Sequence, residues 1–152
     1  MTCLDSPPSI STALQSILSQ LYDSFISPNS SRRPAVADSG ATNHMLPDKS
    51  AFISYKSISN LKMRMGNNSS LPVLGRGSAI ISLNGQRVLV RNGLHVPGLA
   101  MPLYSLRAHI QQPGCGFIGT NDAGMLVYFP SFMLSADTSS DCTLSYEPLG
   151  TW

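Results

Sequence analysis

The chain has few charged residues. Only 12% of its 152 residues are Asp, Glu, Lys or Arg, and the formal net charge is +2. Apart from Arg32-Arg33 it lacks a cluster of basic side chains, which proteins that bind nucleic acids use to contact the phosphates. We therefore expect no direct contact with DNA or RNA. A hydrophobic content of 42% argues against wholesale disorder, so most of the chain should bury a core.

Cysteine is also scarce, and its spacing speaks against the common metal sites. Cys3, Cys115 and Cys142 are far apart, share no C-x-x-C spacing and do not cluster with the three histidines. We expect neither a zinc site nor a disulfide framework, which fits a reducing compartment. The chain has no apolar run of about 18 residues, and its N-terminus lacks a basic start followed by an apolar core. No membrane span and no secretory signal is therefore predicted.

The most informative segment that is present is Asp-Ser-Gly at positions 38–40, which closes a short apolar run. In an aspartic protease two such carboxylates, about 3 Å apart, share one proton, so that one acts as base while the other stays protonated. The motif occurs once in this chain, so a complete site requires a homodimer with Asp38 of each subunit on the two-fold axis. Gly40 permits a tight turn, and Ser39 is expected to be a structural hydrogen-bonder. Taken alone, the tripeptide favours an ordinary turn over an active site.

Further segments favour the protease interpretation, because they follow one another in the order seen in one family. They are Asp38-Ser-Gly-Ala-Thr-Asn-His-Met45, Met63-Arg-Met-Gly-Asn-Asn-Ser-Ser70, Val73-Leu-Gly-Arg-Gly77, Leu94-His-Val-Pro-Gly-Leu99 and Leu103-Tyr-Ser-Leu106. In this order and rough spacing the chain resembles the protease region of copia-type LTR retrotransposon Gag-Pol polyproteins. The resemblance covers residues 34–134.

The resemblance implies an all-β fold, a retropepsin-like closed β-barrel that forms one half of an acid protease. It implies an aspartic endopeptidase that cuts a Gag-Pol polyprotein as a homodimer, without metal or cofactor, inside the cell in a cytoplasmic virus-like particle. Asp38 is the implied catalytic residue, and Ser39, Gly40 and Ala41 form its active-site loop. The implied substrate-binding flap comprises Met65, Gly66, Asn67, Asn68 and Ser69. An alternative stays open: an inactive or co-opted barrel that serves as a dimeric or peptide-binding module.

Three parts are predicted along the chain. In residues 1–33, apolar side chains recur at helical spacing from Ile10 to Phe25, and Pro28 ends this amphipathic helix before a linker. The helix docks either on the barrel or on a partner. Residues 34–134 form the protease domain, and residues 135–152 form a C-terminal tail.

Within the predicted protease domain, short sequence patterns predict individual strands and turns. Leu61, Met63 and Met65 alternate with charged residues, as in a half-exposed strand. Asn84-Gly85 between apolar runs predicts a type I′ hairpin, and 117–118 with 125–129 predicts a second hairpin.

Two predictions concern residues 94–110. Residues 103–110 predict a short helix, and the resemblance places residues 94–106 behind the active-site loop, with Leu103, Tyr104 and Leu106 as packing residues. We expect His44 to be a structural hydrogen-bonder rather than a catalytic group.

Overall fold

The computed structural model describes residues 32–120, 124–136 and 142–150. The helix predicted between Ile10 and Phe25 lies outside the described residues. The described residues form mostly strands: β1 (Arg33–Asp38), β2 (Met45–Leu46), β3 (Lys56–Arg64), β4 (Ser70–Leu83), β5 (Gln86–His95), β6 (Leu103–Ser105), β7 (Gly116–Thr120), β8 (Gly124–Tyr128), β9 (Met133–Ala136) and β10 (Thr143–Pro148). A 3₁₀ turn (Lys49–Ala51) and a four-residue helix, α1 (Leu106–His109), complete them.

Seven strands form one sheet in the order β10-β1-β6-β2-β5-β4-β3, and β10 also pairs with β4. The pairing of β10 with both β1 and β4 curls the sheet into a barrel-like body, from which β3 projects as the outer strand of a hairpin with β4. The all-β, barrel-like architecture predicted from the sequence is confirmed. Strands β7, β8 and β9 form a separate antiparallel sheet of three strands, which contains the second predicted hairpin.

The turn chemistry of the β4–β5 hairpin follows the prediction. Asn84 has φ of 49° and Gly85 has φ of 83°, so both central residues adopt the left-handed conformation that a type I′ turn requires. The Asn84 side chain also accepts a hydrogen bond from the Ser145 N–H at 2.7 Å, which ties this turn to β10.

Two segments differ from their predictions. Residues 143–148, placed in the predicted tail, form β10 inside the large sheet, because Leu144 and Tyr146 alternate toward the core and are 1% and 0% exposed. Residues 103–105 are strand β6 rather than the first turn of a helix, since they pair with β1 in parallel. The helix starts only at Leu106, where the Ser105 side chain accepts a hydrogen bond from the Ala108 N–H and caps it.

Apolar side chains pack in two separate clusters. The barrel cluster fills the interior of the large sheet and contacts the small one; it comprises Ala35, Ala37, Leu46, Ala51, Ala79, Ile81, Leu83, Val88, Val90, Tyr104, Leu106, Val127, Leu134, Ala136, Leu144 and Tyr146. The hairpin cluster lies under the β3–β4 hairpin. It comprises the buried Ala41, Met45, Val73, Leu94, Val96 and Leu99, with the partly buried Met63, Met65, Leu71 and Leu103 packed against them.

The buried side chain of His109 connects the small sheet to the barrel. Its Nε2 lies 2.9 Å from the Tyr128 carbonyl oxygen and 3.1 Å from that of Gly116, and its Nδ1 lies 2.9 Å from the Tyr104 hydroxyl. Because carbonyl oxygens only accept, Nε2 carries the proton and Nδ1 accepts the hydrogen bond from Tyr104.

Within residues 32–120, 124–136 and 142–150, no helix has the length and apolar content needed to cross a bilayer.

Candidate active site

Asp38 is the last residue of β1 and stands where the sheet gives way to a loop. Strand β1 pairs with β10 as far as Val36 and with β6 as far as Asp38, so Asp38 is aligned with Ser105 of β6 on one side only. The carboxylate is half-buried, and its Oδ1 accepts a hydrogen bond of 2.7 Å from the Gly40 N–H. A Cβ at position 40 would lie 3.2 Å from that oxygen, which explains why glycine suits the loop. Asp38 is thus held by the backbone while its other oxygen stays available.

The loop after Asp38 is held from behind by β6 and His44. Ser105 is paired with Asp38 in the parallel register of β1 and β6. The Ser105 hydroxyl donates a hydrogen bond of 2.5 Å to the carbonyl oxygen of Ala41, and the Ser105 N–H donates one of 3.0 Å to Nδ1 of His44. The prediction that residues 94–106 pass behind the active-site loop is therefore confirmed for β6.

A cleft of about 350 Å³ opens in front of Asp38. One wall is the Asp38 loop and the other is the end of the β3–β4 hairpin; the lining residues are Asp38, Gly40, Ala41, Thr42, Met45, Met63, Arg64, Met65, Gly66 and Leu103. A neighbouring cleft shares Thr42, Met45 and Met63 and continues along the hairpin to Leu61 and Leu94. The two clefts together form a groove along the inner face of the hairpin, with Asp38 at one end.

The tip of the hairpin is a compact turn closed by its own polar groups. The Met65 N–H donates to the Ser69 carbonyl at 2.8 Å, and the Asn68 N–H donates to the Met65 carbonyl at 3.0 Å. The Asn67 side-chain oxygen accepts from both the N–H and the hydroxyl of Ser69. The left-handed residue of this turn is Asn68, with φ of 66°.

The structure brings together part of the predicted site. Asp38, Gly40 and Ala41 line the cleft with Met65 and Gly66, so the predicted loop and flap do face each other. Ser39 is exposed and outside the lining of this cleft. Asn67, Asn68 and Ser69 are exposed at the far side of the hairpin turn and do not line it either.

Sequence reasoning missed several residues that shape the site. Met45, Met63 and Leu103 contribute apolar side chains to the cleft lining, and Ser105 donates a hydrogen bond to the loop. Met63 was identified as a strand residue and Leu103 as a packing residue, but nothing local in the sequence shows that they share one cleft. Their meeting depends on pairing between distant strands.

The described histidines are buried and neutral rather than catalytic. Burial lowers the pKa of His44 to about 4, and the nearby His109 contributes to the shift in the same direction. Burial likewise lowers the pKa of His109 and of His95, whose Nδ1 lies 2.7 Å from the Tyr55 hydroxyl. His44 serves as a hydrogen-bond acceptor behind the loop, as we expected. No group of three or more His, Cys, Asp or Glu side chains in the described part of the chain could hold a metal ion.

One comparison with known proteins identifies the family. Residues 35–115, about half of the chain, match the family model of the Pol polyprotein β-barrel domain. The matched range contains the last four residues of β1, all of β2 to β6, the Asp38 loop and the whole β3–β4 hairpin. No curated protein and no solved structure matches the chain. The chain belongs to the family of Pol polyprotein β-barrel domains and represents a region of a retroelement Pol polyprotein.

Proposed function

We propose that this chain is an aspartic endopeptidase of a copia-type retrotransposon, with a retropepsin-like closed barrel, which cuts the Gag-Pol polyprotein as a homodimer in the cytoplasm. The observation that supports the proposal is the position of Asp38. Its half-buried carboxylate stands at one end of a groove whose opposite wall is the tip of a β-hairpin. That arrangement would place a carboxylate below a bound peptide and a hairpin above it.

The proposed reaction is peptide hydrolysis by general acid–base catalysis. A water held between the Asp38 carboxylates of two subunits loses a proton to the ionised one, and its oxygen attacks the scissile carbonyl carbon. The protonated carboxyl donates its proton to the carbonyl oxygen, giving a gem-diol. When the C–N bond breaks, the carboxyl that took the proton from water gives it to the amine nitrogen. The other carboxylate takes a proton from one gem-diol hydroxyl, which restores the carbonyl and the singly protonated pair. Water is consumed, one acid and one amine are formed, and no metal is required.

The groove also suggests how the substrate would be held. Its lining combines apolar side chains, among them Met45, Met63 and Leu103, with the polar Asp38 and Arg64, so it would suit an extended peptide that places a large apolar side chain next to the cleaved bond. Gly66, in the turn between β3 and β4, would approach the peptide backbone from the other side. Lids of this kind exclude water from the reacting groups.

A homodimer follows from the single copy of the motif. Asp-Ser-Gly occurs once in the full sequence, so one chain supplies one carboxylate. Ser39 and Gly40 are exposed beside Asp38, which leaves this face open to a second copy. Two carboxylates a few ångströms apart share a proton and titrate as a pair.

The decisive experiment replaces Asp38 by asparagine, which keeps the side-chain shape but removes the ionisable group. We expect peptide cleavage across pH 4 to 7 to fall by at least about 10²- to 10⁴-fold, the usual contribution of general acid–base groups, while circular dichroism stays unchanged. Glu147→Gln is the matched control, because Glu147 pairs with Arg32 at 3.2 Å on the other side of β1 and does not line the groove. Cleavage that persists in folded Asp38→Asn protein would refute the assignment.

Dilution tests the homodimer independently. Below the dimer dissociation constant, specific activity should fall with protein concentration, and sedimentation should show the dimer dissociating over the same range. A monomer with full specific activity would contradict the shared site. Wild-type protein that binds a statine-type inhibitor but cleaves no peptide in a library would instead identify a peptide-binding module.

A further inference from the structure

Behind the Asp38 loop, one serine makes three hydrogen bonds at once. Ser105 is aligned with Asp38 in the parallel β1–β6 pair. Its hydroxyl donates to the Ala41 carbonyl at 2.5 Å and accepts from the Ala108 N–H at 3.0 Å, and its N–H donates to Nδ1 of His44 at 3.0 Å. Ser105 is 0% exposed and His44 is 1% exposed, so neither can exchange these partners for water.

We propose that Ser105 and His44 are positioning residues that fix the loop carrying Asp38, through the chain of contacts from His44 to Ser105 to Ala41. This proposal rests on the proposed function, because it assigns them a role in holding the catalytic carboxylate. Neither residue lines the cleft in front of Asp38, so they act through the loop rather than on the substrate.

The hydrogen bond from Gly40 to Asp38 does not by itself fix the loop relative to the rest of the fold. The Gly40 N–H anchors Asp38 from the front, but it belongs to the same loop and would move with it. The Ala41 carbonyl bonds the loop to a separate strand, β6, and the same Ser105 hydroxyl caps the N-terminus of α1. Further along the loop, the His44 carbonyl accepts a second inter-strand hydrogen bond, from the Leu94 N–H of β5 at 2.9 Å. Loss of the hydroxyl would leave a buried carbonyl without its donor, which favours a shifted loop.

His44 must be neutral to hold Ser105. A backbone N–H can only donate, so Nδ1 must accept, and a protonated imidazole presents N–H groups on both sides. The groups that face His44 are the Tyr104 ring, at a centroid distance of 4.4 Å, His109, and Arg91, which lines the same small cleft as His44. None of them is an anion that would stabilise an imidazolium. The contact should therefore survive at mildly acidic pH and fail only when His44 is forced to protonate.

The first test is Ser105→Ala, a change small enough for the fold to survive. Ser82→Ala is the matched control, because Ser82 is also buried but lies on β4, in the sheet away from the Asp38 loop. We expect amide exchange at residues 40–43 to accelerate roughly five- to tenfold in Ser105→Ala, the population change that corresponds to one hydrogen bond. We expect kcat to fall roughly 10- to 100-fold, as misplaced catalytic groups do, with KM changed less than about threefold, because the groove lining is intact. Ser82→Ala should change neither.

The second test uses two substitutions of His44. Asparagine places a non-titrating acceptor oxygen where Nδ1 stands, whereas leucine retains volume without an acceptor. His44→Asn should keep the exchange protection of residues 40–43 and most of kcat, and His44→Leu should lose both. Between pH 6 and pH 3.5, loop protection should weaken in the wild type, after correction for intrinsic exchange, but stay constant in His44→Asn.

The results separate this proposal from the proposed function. If Ser105→Ala leaves loop exchange and kcat within twofold of Ser82→Ala, or if His44→Leu behaves as His44→Asn does, the positioning role is overturned. If the wild type cleaves no peptide, the proposed function fails. Loop exchange in the same variants then still decides whether Ser105 and His44 hold Asp38 in place.

Discussion

The barrel cluster and the hairpin cluster are built from similar apolar residues but differ in how completely they are enclosed. In the barrel cluster, the side chains of Ile81, Leu144 and Tyr146 are at most 1% exposed. They belong to β4 and β10, which pair with each other and with their other neighbours in the large sheet. In the hairpin cluster some residues are buried, but Met63 and Met65 are only partly buried, and both line the cleft at Asp38. The barrel cluster is therefore shielded from solvent, whereas the hairpin cluster is exposed to solvent where it meets the cleft.

This difference indicates that the barrel cluster contributes mainly to stability and the hairpin cluster mainly to ligand binding. Burial of apolar surface stabilises the fold wherever it is complete, at about 25 cal/mol per Å². Side chains that remain half-exposed beside a carboxylate add less to stability and leave apolar surface for a ligand to cover. Met63 and Met65 suit that role because unbranched thioether side chains adapt to different surfaces. We therefore expect substitutions in the barrel cluster to act on stability and those in the hairpin cluster to act on turnover.

The largest expected effect is in the barrel cluster. Leu144→Ala removes a fully buried side chain from β10 and should lower the free energy of unfolding by about 2–5 kcal/mol. Met63→Ala is the matched change in the hairpin cluster; it should cost much less stability and should raise KM for peptide. Urea denaturation at fixed protein concentration and cleavage kinetics measure both. Equal destabilisation by the two substitutions would show that the clusters do not differ in this way.

The strand that contains Leu144 also illustrates what the local sequence does not predict. Residues 143–148 were predicted to be a tail, because a short segment with a few apolar residues carries no local mark of a strand. Their strand character comes from pairing with Arg33–Val36, about 100 residues earlier, and with β4. In the same way, residues 103–105 have an acceptable helical pattern, but parallel pairing with β1 makes them β6. Pairing between distant strands overrides local preference.

The features that could be predicted are those that the local sequence determines. Asn84-Gly85 specifies its own turn, and the alternation of Leu61 and Met63 marks β3, whereas Met65 lies just beyond its end, in the tip turn. The Asp38 loop and the hairpin tip were located from motifs, and the structure shows them across one cleft. The contact of His44 with Ser105 could not be predicted, since it joins residues 61 positions apart.

Acidic pH tests a contribution that neither apolar cluster makes, because apolar side chains do not titrate. His44 does, and it lies next to Met45 of the hairpin cluster in the chain and packs its ring against Tyr104 of the barrel cluster, at a centroid distance of 4.4 Å. Burial lowers the pKa of His44 to about 4 from its ordinary 6.5. The unfolded chain therefore binds the proton at a higher pH than the folded one, so stability falls as pH falls from about 6.5 toward 4. We expect His44 to account for a loss of about 3 kcal/mol between pH 7 and pH 4.

His44→Asn is the control for this pH effect, since asparagine does not titrate. Urea denaturation of the wild type and of His44→Asn at pH 7 and pH 4 gives the two differences in unfolding free energy. The wild type should lose more stability on acidification than His44→Asn does. Identical pH dependence in the two proteins would mean that His44 is not the group responsible.

The smallest expected effect on stability is at the hairpin tip, where the effect on turnover should nevertheless be large. A Cβ at Gly66 would meet no atom within 4 Å, and Gly66 does not have a positive φ, so Gly66→Val should change unfolding free energy by no more than about 0.5 kcal/mol. Gly77 in the same hairpin is the contrast, because its Cβ would lie 1.8 Å from the Ser54 carbonyl oxygen. Gly77→Ala should therefore cost about 1–3 kcal/mol or more.

If the tip closes over bound peptide, valine at position 66 would bring a branched side chain against the peptide backbone and stiffen a segment that must move in every cycle. Cleavage should then fall far more than stability does, and a statine-type inhibitor should slow amide exchange at residues 63–73 in the wild type. Thermal melting, cleavage rates and exchange with and without the inhibitor measure this together. Normal cleavage by Gly66→Val, with exchange at residues 63–73 unaffected by the inhibitor, would mean that the tip is a surface turn. The closing element would then lie elsewhere, and the segment around Gly75 and Gly77 would be the next to test.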